Sequence, residues 1–169
     1  GVWACQRAHV GPGSNVLVTG AGPIGLIAAQ TARAFGATSV TVSDVNTHRL
    51  ALAESLGLRA INVAETSLTD AGIEPDVLLE CSGNARATWD AVSITARAGQ
   101  VVLVGMGGDT VELPLSHVQD RELVVTGDFR YANTWPTAIE LVASGKVDVD
   151  AVVTGHFGLD DVETALKAG

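Results

Sequence analysis

The chain has 169 residues, 47% of them hydrophobic, and a formal charge of −9. That length suits one domain with a substantial core, and the acidic balance without any Lys/Arg run excludes a nucleic-acid partner, because neutralising phosphates takes clustered cations. No apolar stretch reaches the ~18 residues of a membrane span, and Gly1-Val2-Trp3-Ala4-Cys5 lacks a signal pattern. Cys5 and Cys81 stand far apart without a C-x-x-C, which predicts a reduced, cytoplasmic setting with both thiols buried.

Residues 2–10 have the spacing of a short helix, ended by Gly11-Pro12-Gly13. It has no start signal, so the chain is expected to begin inside something larger. The first predicted strand, Asn15–Thr19, runs into Gly20-Ala21-Gly22-Pro23-Ile24-Gly25. A helix follows, with Ile24, Ile27, Ala28, Thr31, Ala32 and Phe35 on one stripe and Gly36 as its stop. Ser39–Asp44 is the second strand, and Asn46 caps a helix that ends at Gly57. A short third strand lies near Ala60–Val63, and residues 64–75 have room for one or two helical turns. Asp76–Cys81 is continuously apolar at Val77-Leu78-Leu79, as in a strand covered on both faces.

Asn84 caps the next helix, with Ala87, Thr88, Ala91, Val92 and Thr95 on its stripe. Gln100–Val104 is the fifth strand, residues 116–120 a short helix, and Glu122–Thr126, extendable to Phe129, the sixth strand. A helix over 133–144 turns Trp135, Ala138, Ile139 and Val142 inward; Ala151–Thr154 reads as one more strand, able to pair with a second copy, and 160–168 as a last helix. Strands alternating with helices predict an α/β fold: a doubly wound parallel sheet with helices on both faces.

The six residues after the first strand form a G-x-G-x-x-G in the context where that pattern carries meaning. Gly20 permits the tight turn, Gly22 leaves the backbone bare for a pyrophosphate, and Gly25 allows close helix packing. Pro23 suits the first helical turn, whose free N–H groups and dipole face an anion. Alone, the glycines mark any tight strand-to-helix turn. Asp44, at the end of the next strand, adds a carboxylate that accepts from an adenosine ribose and repels a 2′-phosphate. Ser82-Gly83 and Gly105–Gly108 end two further strands and extend the groove along one sheet edge.

Chemistry of the chain's own is not visible. His9, His48, His117 and His156 are scattered, none at ligand spacing with a Cys or another His, so no metal site is predicted. Tyr131 is followed four residues on by Trp135, which excludes a Tyr-x-x-x-Lys device, and no G-x-S-x-G is present. Three readings stay open on residues alone: a dinucleotide-dependent dehydrogenase part, a stand-alone NAD(H)-sensing module, and a methyltransferase using an adenosyl sulfonium.

The whole chain resembles the nucleotide-binding domain of zinc-dependent medium-chain dehydrogenases, in particular their sorbitol (polyol) branch. The motifs that carry this are residues 1–8, Val16–Ile24, Glu80-Cys81-Ser82-Gly83, Val102–Gly107 and, most specifically, Phe129-Arg130-Tyr131-Ala132-Asn133-Thr134-Trp135-Pro136. The resemblance implies a six-stranded Rossmann sheet spanning 1–169, with NAD as cofactor. It implies that Gly20, Gly22, Pro23, Ile24 and Gly25 hold the pyrophosphate, and Asp44 with Arg49 the adenosine. Cys81, Ser82 and Gly83 belong to the same groove. Val104, Gly105 and Met106 would line the nicotinamide, Asp128, Phe129 and Arg130 its carboxamide, and Arg130 with Tyr131 would face a polyol. The family's catalytic zinc sits in a separate domain whose ligands have no counterpart here. The fragment alone is therefore expected to be inactive, and the full-length enzyme a homo-oligomeric polyol dehydrogenase or another medium-chain alcohol dehydrogenase.

Overall fold

The computed structural model describes residues 1–168. Its strands are β1 (Asn15–Thr19), β2 (Ser39–Asp44), β3 (Arg59–Asn62), β4 (Val77–Glu80), β5 (Gln100–Leu103) and β6 (Val124–Gly127). Its helices are α1 (Val2–Arg7), α2 (Pro23–Ala34), α3 (Thr47–Ser55), α4 (Ala85–Ser93), α5 (Leu115–Asp120), α6 (Trp135–Ala143) and α7 (Val162–Lys167). The strands form one sheet in the order β3-β2-β1-β4-β5-β6, with every pairing parallel. This is the doubly wound Rossmann order. The winding reverses between β1 and β4, and a crevice opens there at the carboxyl ends of the strands.

The central strands are apolar without alternation because both faces are covered. Val16 and Val18 pack with Ala28, Ala29 and Ala32 of α2 and with Leu50 and Ala53 of α3. Leu17 points the other way, to Leu78, Ala91, Val92 and Val101. Each fully buried Val or Leu contributes about 1.5–3 kcal/mol. The alanines of α2 let its axis lie close to the sheet. The buried face is Gly25, Leu26, Ala28, Ala29, Gln30, Thr31 and Ala32, which is wider than the expected stripe and keeps its Ala28, Thr31 and Ala32, while Ile24 is left 56% exposed at the helix start.

Asn46 and Asn84 cap α3 and α4 as their sequences predict, each side chain accepting from two backbone N–H groups. Residues 64–75 form hydrogen-bonded turns and no helix. Asn62 Oδ1 takes the Ala64 N–H and Ser67 Oγ the Asp70 N–H, satisfying locally the groups a helix would use.

The strand expected at Ala151–Thr154 is absent. Asp150–Val152 is a 3₁₀ turn, started by Asp148 Oδ1, which accepts the Ala151 N–H at 3.0 Å. Asp148 is held in turn by Gln30, a buried residue (1% exposed) in the middle of α2. The Gln30 amide donates to the Asp148 carbonyl at 3.1 Å and accepts the Asp148 N–H at 2.8 Å. Among the described residues β6 therefore has β5 as its one neighbour. Its ladder stops at Gly127, short of Phe129. α6 fully buries only Leu141; of its expected inward face, Ala138 packs beside Leu141, Trp135 and Val142 border an open cavity, and Ile139 is exposed.

Candidate functional site

The turn after β1 is fixed by what its glycines touch. Gly20, at φ +86°, donates to the Ser43 carbonyl at 2.7 Å, and a Cβ there would lie 3.0 Å from Ser82 Cα. A Cβ at Gly25 would overlap the Gly20 carbonyl oxygen. Gly22 differs: a Cβ there would meet nothing within 4 Å. The protein itself does not need glycine at 22. What Gly22 leaves is bare backbone beside the start of α2, where Pro23 has no N–H and the amides of Ile24 and Gly25 have no helical partner. This is a cradle for an anion.

Asp44 is bound into the same turn. Its Oδ2 accepts the Ala21 N–H at 2.7 Å, and its Oδ1 accepts the N–H groups of Val45 and Asn46 at 2.7 and 2.9 Å. Oδ1 is filled by its two donors, and Oδ2 keeps lone-pair capacity for a further one.

Two cavities flank this turn. The first, of about 390 Å³, is walled by Gly20, Ser43, Asp44, Ser82 and the turns at Val63–Leu68. Arg86 also lines it, paired with Asp90 at 2.7 Å. Arg49 does not: Asn46 caps its backbone N–H, and its exposed side chain lies off the wall. Arg86 is thus the cation on this side of the groove. Its position before Asp90 on α4 was legible only as a surface i,i+4 pair.

The second cavity, of about 590 Å³, gathers Ile24, Val104, Met106, Asp128, Phe129, Arg130 and Tyr131, with Ile27, Thr134 and Trp135 also on its wall. Met106 is 81% exposed and Phe129 74%, unusual for large apolar side chains. The Arg130 guanidinium lies over the Phe129 ring, 5.0 Å from its centroid, with its donors free to meet a ligand. Tyr131 meets Trp135 edge to face at 5.0 Å. Asp128 hangs from the end of β6, its N–H donating to the Leu103 carbonyl at 2.8 Å. Its Oδ1 is buried without a partner. Burial raises its carboxyl above the usual range, opposed by the Gly1 ammonium and Arg7.

Gly22, Pro23, Gly25, Gly83 and Gly105 line neither cavity; they are the backbone between and beneath them. Gly83 and Gly105 are in backbone contact, so close that a Cβ on Gly105 would overlap the Gly83 nitrogen. The Cys81 thiol turns inward against the core over α1 and α2. Burial, with Glu80 adding to it, pushes the Cys81 pKa up to about 12, and burial does the same to Cys5. Neither thiol is a nucleophile at neutral pH.

A family model described as "Zinc-binding dehydrogenase" matches residues 23–144. The chain belongs to that family. This zinc-binding dehydrogenase chain is 42% identical to the sorbitol dehydrogenase of Arabidopsis thaliana, over 99% of its own length and 50% of the relative's. The structure of L-idonate 5-dehydrogenase from Escherichia coli superposes with a TM-score of 0.91 at 26% identity, covering 99% of this chain and 49% of that one. An Escherichia coli CFT073 short chain alcohol dehydrogenase, solved with NADH, superposes with a TM-score of 0.88 at 26% identity, covering 98% and 51%. The chain spans about half the length of the curated relatives it matches.

Among the described residues no group of three or more His, Cys, Asp or Glu side chains is arranged to hold a metal ion. The described residues do not offer the family's zinc a ligand set. No helix among the described residues is long and apolar enough to cross a membrane.

Proposed function

We propose that this chain is the NAD(H)-binding part of a zinc-dependent polyol dehydrogenase. One observation carries the reading: the Gly20–Gly25 turn, clasped to Asp44, stands between two cavities on one sheet edge, at the reversal between β1 and β4. A dinucleotide has this shape, with an anionic bridge between two ring systems.

In this reading the Ile24 and Gly25 amides meet the pyrophosphate. Asp44 accepts from the adenosine ribose, and Ser82 lines the same half of the groove. The nicotinamide lies on the other side, against Val104 and Met106, with Asp128, Phe129 and Arg130 at its carboxamide. Bound NAD supplies the hydride acceptor for oxidation of a carbinol. The chain's own residues bind and orient it: Ile24 and Met106 shield one end from water, and Arg130 and Tyr131 offer donors to neighbouring substrate hydroxyls.

The full-length protein is read as an oxidoreductase acting on a polyol CH–OH. The sorbitol and L-idonate names of its relatives support that substrate class. Two free thiols suit a reducing, cytoplasmic setting. The uncovered edge of β6 suits a homo-oligomer.

Calorimetry of this chain with NAD, NADP and S-adenosylmethionine tests the cofactor. NAD should bind with the highest affinity and S-adenosylmethionine should not bind. Binding of the sulfonium in preference to NAD refutes the reading. For the full-length protein, NADH formation should be faster from sorbitol than from ethanol.

A further inference from the structure

Glu80 is the last residue of β4 and is 2% exposed. Its Oε1 accepts from Thr19 Oγ1 at 3.1 Å, the Ser82 N–H at 2.9 Å, the Gly83 N–H at 3.1 Å and the Ser82 hydroxyl. Its Oε2 faces the Gly83 N–H at 3.3 Å. Its backbone carbonyl accepts the N–H groups of Val104 and Gly105, both at 2.8 Å. No Lys, Arg or His among the described residues forms an ion pair with it. A carboxylate this deep is held by neutral donors alone, which is tolerable only because they converge on it.

The position matters as much as the burial. Glu80 is in register with Thr19 on β1 and Leu103 on β5, so it sits at the reversal of the sheet. The loops after these three strands touch through bare backbone. Gly20 abuts Ser82, and Gly83 abuts Gly105 and Gly107. The Glu80 side chain bonds the end of the first strand and Ser82 and Gly83 of the second loop, and its carbonyl bonds the start of the third.

We propose that Glu80 is a positioning residue. Through Thr19, Ser82 and Gly83 it fixes the spacing of the three glycine loops, and thereby the width of the groove that takes the dinucleotide. The proposal rests on the NAD(H) reading for its ligand, while the spacing of the loops is measurable without one.

Three variants separate reach from charge. Glu80→Gln keeps the acceptor at the turn and loses the charge. Glu80→Asp keeps the charge and withdraws it by one methylene. Glu80→Leu removes both. NAD affinity by calorimetry should stay within about threefold of the parent in Glu80→Gln and fall about tenfold or more in the other two. In unliganded protein, the amide protons of Ser82, Gly83 and Gly105 should exchange about tenfold faster in Glu80→Asp, with β3 unaffected. Val101→Ala, a core cavity on β5 away from the loops, is the stability control: it should lower Tm and leave NAD affinity unchanged.

Parent-like NAD affinity in Glu80→Asp, or an affinity loss in Val101→Ala that tracks Tm alone, overturns the proposal. If Glu80→Leu does not fold, Glu80→Asp decides. If the parent chain itself does not bind NAD, the proposed function falls, and the exchange rates still decide whether Glu80 sets the loops.

Discussion

The Ala21 N–H and the Asp44 carboxylate are joined across 2.7 Å, so the acid proposed to take the ribose also holds the glycine turn. Cofactor preference and turn geometry are therefore coupled. The chain should favour NAD over NADP, because a 2′-phosphate would enter a site already holding this carboxylate. Arg86, on the same wall, is engaged by Asp90. Asp44→Ala should narrow the preference and also weaken NAD itself, by about tenfold for the loss of roughly 1–2 kcal/mol of hydrogen bonding. Titration of both cofactors checks this; full NAD affinity in the variant would show that the clasp is incidental.

The glycines at 22 and 25 should separate binding from folding. Gly25→Ala puts a methyl onto the Gly20 carbonyl and should lower Tm and affinity together. Gly22→Ala meets open space in the protein. Its Tm should stay near the parent's, with a stability change within about 0.5 kcal/mol, while NAD binding drops sharply. Thermal melts with and without NAD read both effects.

Asp128 should give stability an unusual pH dependence. Its carboxyl is raised in the folded state by burial, so the unfolded chain ionises it more readily. The penalty is absent below the ordinary carboxylate range and grows as pH rises through the folded pKa. Asp128→Asn should accordingly be more stable than the parent at pH 7 and equal to it at pH 3. Denaturant unfolding at the two pH values measures the gap, and a gap larger at pH 3 would reverse the assignment.

Arg130, stacked on Phe129 with its donors free, should matter for substrates with several hydroxyls. On the proposed function, Arg130→Ala in the full-length protein should lower kcat/KM for a polyol by about tenfold to a hundredfold. A simple alcohol should be affected much less. Equal losses on both would move Arg130 from substrate to cofactor or fold.

The glycine turn, Asp44, both Asn caps and the parallel run of the strands were legible because each has a local chemical signature. What was not legible depended on distant contacts. Nothing near Gln30 announces that its amide will seize residue 148, just before the 3₁₀ turn Asp150–Val152 that stands where a strand over Ala151–Thr154 is expected. That Trp135 faces an open cavity and Ile139 solvent was hidden likewise, since an apolar stripe does not say which neighbour covers it. Arg86 was missed because a surface ion pair on a helix looks the same whether or not a cavity opens beside it.

The bond between Gln30 and Asp148 also bears on how the chain is made. All six strands have left the ribosome once Gly127 is out, yet Gln30 of α2, 1% exposed in the complete fold, then has neither of its partners. An unmatched polar group in that position costs about 1–3 kcal/mol, a large part of what a newborn domain has to spare. The sheet therefore waits for residue 148 before it is secure. Released chains truncated between 127 and 148 should yield to protease, and chains that reach past the clasp should resist it.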